Sequence, residues 1–301
     1  VNKAALYAAM TLLTVSLGAC TWLAKTRAEA ARPIDVPGVG PSAMDRAAAA
    51  AAGQRVLVIV TKPGVAATGR IYQSARGAEG WMPYDATPDA ANPLVPVLDA
   101  LAAAAAADFA PDQALNADVV RALQVFGVAI VVASDGSSIV TPVAGESDPN
   151  VATSPEVPAL RLRHTNPVFL LLAESGAHDP ADPVGFVRSM RYGDAQFQDD
   201  EYSQWGGAVT IDAAQAGEFL FAWPASGARV TLDGAAAETR AAGLPMLVVK
   251  VPAGKHRVEV AYGEPQKARD VIAIAAAVGA VVAFVALWLG LRPHPERSVE
   301  T

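Results

Sequence analysis

Arg257-Val258-Glu259-Val260-Ala261-Tyr262 alternates charged with apolar side chains before it closes on alanine and an aromatic. Neighbouring side chains in a strand point to opposite faces, so the hexad predicts one face in a core and one toward solvent. Residues 208–211, 218–223, 229–232 and 246–251 are similar short runs rich in β-formers. Pro224, Asp233-Gly234 and Pro252-Ala253-Gly254 separate them as turn signals. Short strands at regular spacing with such breakers predict an antiparallel sandwich over 207–263. Within it Phe219, Phe221, Val258 and Val260 are expected in the core, and Glu218, Arg257 and Glu259 outside.

Upstream the pattern changes. Residues 55–60 form a short, continuous, largely β-branched run ending at Lys62-Pro63-Gly64, which predicts a strand buried on both faces. A helix over 117–126 then leads through Gly127 into a second such strand, 128–132. Together these predict a small α/β layer over 54–175. Ahead of it, 25–53 reads as a Pro/Gly-containing linker (32–42) and an alanine-rich helix (43–52). Residues 73–96 and 177–202 are dense in Gly, Pro, Asp and Asn and are expected as exposed loops, the second as an acidic loop within 176–206.

Both ends of the chain are hydrophobic. Residues 271–291 contain no charged side chain, and 21 residues at 1.5 Å rise match a hydrocarbon core of roughly 30 Å. Trp288 near one end suits the interface. Residues 4–24 are nearly as long and predict either an N-terminal transmembrane helix or a lipoprotein signal. In the second case Leu17-Gly18-Ala19-Cys20 serves as a lipobox and Cys20 becomes the acylated N-terminus. The expected fold class is therefore α+β and membrane-anchored: a small α/β layer, a membrane-proximal β-sandwich and a hydrophobic helix at each end. Two spans place both termini on one side of a bacterial inner membrane and the middle region on the periplasmic or extracellular side.

Composition and motifs narrow the function classes. A net charge of -7 without a basic cluster argues against nucleic acid. Cys20, the single cysteine, excludes an intrachain disulfide and a thiolate metal cluster. No nucleophile elbow, zinc-protease motif or phosphate loop is present, and neither catalytic nor cofactor-binding residues are assigned. Ser134-Asp135-Gly136-Ser137-Ser138 follows a buried strand, but a Ser- and Gly-rich turn there is commonplace. Asp179, Asp182, Asp194, Asp199, Asp200 and Glu201 are the oxygen donors calcium takes, but their loose spacing is that of a solvated acidic surface, so no metal is expected. Trp81, Tyr84 and Asp85 form the candidate contact for a partner or a glycan, exposed aromatics beside a carboxylate being suited to either. Packing of Trp81 over the α/β layer is the structural alternative.

Phe221-Ala222-Trp223-Pro224, Val230 to Gly234 and Val251 to Tyr262, followed by a terminal apolar segment, resemble the C-terminal end of YfhO-like bacterial membrane proteins. These belong with multi-spanning glycosyltransferases of the GT-C type. Residues 123–132 resemble the helix-to-strand segment of the same proteins. The resemblance implies a catalytic carboxylate after the first span of a large helical bundle. A chain with at most two spans has no such bundle, so no catalytic residue carries over. The expected function is a non-catalytic extracytoplasmic subunit that binds or scaffolds an integral membrane partner or the envelope. The alternatives are an accessory domain of a GT-C type system that binds glycan or lipid-linked sugar, and an envelope lipoprotein acylated at Cys20.

Overall fold

The computed structural model describes residues 39–40, 44, 46–47, 50–51, 54–74, 81–83, 93–110, 113–140, 151–153, 158–163, 168–174, 176, 178–203 and 206–262. All belong to one compact unit, 31–263. The apolar segments 4–24 and 271–291 lie outside them. Among the described residues no helix is long and apolar enough to cross a membrane.

The first sheet gathers β1 (Arg55–Lys62), β2 (Val65–Ser74), β3 (Trp81–Pro83), β4 (Val128–Ser134), β5 (Ile139–Val140), β6 (Val151–Thr153) and β7 (Leu160–Leu162). Its order is β3-β2-β1-β4-β7-β6, with β5 on β4. Only β1 and β4 pair in parallel; the other pairings are antiparallel. Their continuous apolar runs are explained by burial on both faces. One face packs under Met44, Ala47 and Ala51, which are helical as expected from 43–52. The other face carries α1 (Val95–Asp108) and α2 (Ala117–Val125). Asn116 caps α2 by accepting the amide of Asp118, which meets one donor the helix cannot satisfy internally. The alanines of α1 let it lie close on β2: a Cβ at Gly69 would stand 2.3 Å from the carbonyl oxygen of Ala102.

Two five-stranded sheets form the sandwich. One orders β15 (Thr239–Ala241), β16 (Met246–Val251), β12 (Gly217–Pro224), β8 (Val168–Ala173) and β9 (Arg191–Asp194). Its partner orders β10 (Phe197–Ser203), β11 (Gly206–Ala213), β17 (Gly254–Ala261), β13 (Arg229–Leu232) and β14 (Ala235–Ala236). Phe219, Phe221, Val258 and Val260 all join the shared core, with Val209, Ile211, Trp223 and Val249. Arg257 and Glu259 are exposed and Glu218 is half-buried, so the expected register holds. Asp233 and Gly234 both take positive φ, 52° and 82°, and make the two-residue hairpin turn between β13 and β14 that an Asp-Gly pair favours.

The sandwich starts earlier than 207, however. Residues 168–173 belong to it as β8. The stretch 177–202, expected as an irregular acidic loop, instead holds α3 (Pro183–Ser189), β9 and most of β10. Asp182 accepts the amide of Gly185 and so caps α3. The first sandwich sheet is moreover covered on both sides. Its outward residues Phe169, Leu171, Leu220, Ala222, Met246 and Val248 share a core with Phe186 and Val187 of α3 and with α1, α2 and the first sheet. The described residues thus stack as helical segment, mixed sheet, helices, sheet, sheet.

Candidate functional site

Of the residues singled out for contact, Trp81 lies on β3, opposite Ser74. Tyr84 and Asp85 fall outside the described residues, as does Cys20. The acidic residues of 177–202 are dispersed over the loop and cap that precede α3 and over two strands. Asp179 accepts the amide of Ala181, Asp182 caps α3, and Asp194 stands exposed on β9. No grouping of three or more potential metal ligands occurs among the described residues.

The turn after β4 sits where α/β sheets most often bind ligands, at the carboxyl ends of parallel strands. Here the side chains close on themselves. Asp135 Oδ1 accepts the amides of Ser137 (2.8 Å) and Ser138 (2.7 Å) and both of their hydroxyls. Those donors, the Ser137 amide first, pull the Asp135 carboxyl down to about 2. A carboxylate that acidic is a weak general base near neutrality, and the serine hydroxyls donate to it as a loop brace. Gly136 supplies the positive φ of 88° that the turn requires.

Two histidine sites emerge that strand patterning did not foresee. Ser189 Oγ lies 3.3 Å from His178 Nε2, although the two are well separated in sequence. Its hydroxyl also donates to the carbonyl of Phe186 at 2.8 Å, the shorter of its two contacts, and which atom donates between Ser189 and the ring depends on the tautomer of His178. His256 Nδ1 lies 2.7 Å from Asp233 Oδ2, and its Nε2 lies 3.2 Å from the carbonyl of Ala253. The Asp233 hydrogen bond, then the carbonyl, raises the His256 pKa; the His256 bond and the Arg257 amide lower that of Asp233. The expectation of a turn at Asp233-Gly234 holds. β17 begins at Gly254 and carries His256 as its third residue, and the link between Asp233 and His256 comes from the β13–β17 pairing.

No family model, curated protein or solved structure matches this chain.

A further polar group lies across the first sandwich sheet. Arg240 on β15 forks onto both oxygens of Glu218 on β12, at 3.1 and 2.5 Å, and reaches Glu174 beyond β8 at 3.3 Å. The bidentate bond lowers the Glu218 pKa and raises that of Arg240. At the opposite end of the sandwich the Tyr262 hydroxyl donates to the carbonyl of Pro224 at 2.5 Å. This bond ties Tyr262, just after the last strand, to the end of β12.

Proposed function

We propose that this chain is a non-catalytic, membrane-anchored extracytoplasmic subunit. Its layered outer region binds or scaffolds a partner in a membrane complex or the envelope, on the periplasmic or extracellular face of a bacterial inner membrane. The observation that carries this is the Tyr262–Pro224 bond. It holds the residue just after β17 to β12, and after eight intervening residues (263–270) the sequence enters an uncharged run of membrane-spanning length at Val271. A multilayer body followed so closely in sequence by such a segment suits presentation of a surface at a membrane. The closed hydrogen bonding of Asp135 accords with a turn that serves structure and does no chemistry.

Single cysteines at Ser137 and Ser226, both exposed, test the placement, with the unsubstituted chain as blank for Cys20. Both should react with an impermeant maleimide in intact cells, or in spheroplasts where an outer membrane blocks entry. Protection of both until lysis overturns the topology. Copurification from mild detergent tests the role. A stable multi-subunit complex is the expected result; a polytopic transferase as sole companion favours the accessory-domain alternative, and acyl mass on a mature Cys20 favours the lipoprotein.

A further inference from the structure

The end of the sandwich away from Tyr262 collects three turns. They join β11 to β12, β13 to β14 and β16 to β17, as the pairs Ala213↔Gly254, Gly217↔Val251 and Leu232↔Ala235 fix. His256 stands at the mouth of this end. It occupies the inward-facing row of β17 with Val258 and Val260, opposite Ile211 on β11, and its side chain is 20% exposed. Both ring nitrogens meet acceptors: Asp233 Oδ2 from one turn and the Ala253 carbonyl from another. A neutral imidazole has one N–H and serves one of them, whereas an imidazolium serves both.

Asp233 is itself held in place. Its φ of 52° folds the side chain back across β17. Its Oδ1 accepts the amide of Arg257 at 2.8 Å, and its own amide donates to the Arg257 carbonyl at 2.9 Å. Asp233 is the charged group that faces the ring. On β11 the opposed residue is apolar Ile211, and Asp212 pairs with Lys255 in the outward row. Arg257, also outward, turns its Nε to Glu259 at 2.8 Å.

We propose that protonated His256 is a latch that fastens the β13–β14 turn to the β16–β17 turn, making this end of the sandwich tight in acidic to neutral surroundings and looser in alkaline ones. The sign follows from linkage. The folded pKa is raised by Asp233 first and the Ala253 carbonyl second. The contribution is therefore complete below the ordinary histidine value and lost as pH rises through the raised one. Asp233, lowered, remains ionised throughout that window.

The test uses the full chain in detergent micelles, from about pH 5 to about pH 9, which brackets histidine titration. NMR follows the His256 ring, and hydrogen exchange, corrected for intrinsic rates, follows the Arg257 amide and the 229–236 segment. His256 should titrate above the ordinary histidine value, and protection at Arg257 should fall several-fold across that titration. His256→Gln should show the low, alkaline level of protection at every pH. Asp233→Asn should bring the His256 midpoint back toward the ordinary value, a readout independent of whether the glutamine variant folds. Titration at or below the ordinary value, or flat protection through it, overturns the latch.

Discussion

Arg55 is the clearest case of a residue whose role the local sequence hides. It opens β1 as the first residue of an otherwise apolar run and is 1% exposed. Its guanidinium donates to the carbonyl of Phe126, beyond α2, and to that of Ala222 on β12. It thereby pins the mixed sheet to the sandwich. Arg55→Ala would remove the donors to two carbonyls and leave a void. Each unsatisfied buried acceptor costs about 1–3 kcal/mol, so the expected loss is on the order of 2–4 kcal/mol by denaturant unfolding. Arg191→Ala, at an exposed strand position, should stay within about 0.5 kcal/mol. Equal losses would mean that Arg55 contributes no more than an ordinary surface arginine. Asp233-Gly234 is the opposite case: its turn chemistry is local, so its conformation was readable where the Ala222 contact, 167 positions from Arg55, was not.

Strands whose two faces differ were legible, and strands whose faces agree were not. β17 alternates because its outer face meets solvent, and its register could be stated from Glu259 and Val260. β8, Val168–Ala173, has apolar neighbours on both faces in its first four residues, so no period of two marks it. β10 lies at a sheet edge and carries Asp199, Asp200 and Glu201. Charge is a common means of keeping edges from pairing with other chains, and here it imitated a loop. Val260→Asp should be severe, because the site is 3% exposed in an apolar core and an unpaired carboxylate there costs several kcal/mol. Glu259→Lys loses an exposed contact with Arg257, worth at most about 1 kcal/mol. Proteolytic protection of the two variants checks this: if the lysine variant unfolds while the aspartate variant does not, the inward and outward faces of β17 have been exchanged.

Across the molecule, an α/β layer and a sandwich were each legible, but their union was not. Periodicity reports that a face is buried without reporting against what. The helices α1, α2 and α3 lie between the mixed sheet and the first sandwich sheet, and a single core runs from Leu57 and Val131 through Leu98, Leu123 and Phe186 to Leu220 and Val248. Neither half can keep its apolar faces covered without the other, so the described body should unfold as one cooperative unit. Phe186, fully buried on α3, tests this because it belongs to the core that the mixed sheet and the first sandwich sheet share. Phe186→Ala should cost about 3–5 kcal/mol. In native-state hydrogen exchange the most protected amides of β1 and β4 should lose protection by the same factor as those of β12 and β16, since global opening limits all four strands alike. A loss confined to β12 and β16, with β1 and β4 unchanged, would show two independently stable domains meeting at a passive contact, and α3 would then belong to the sandwich alone.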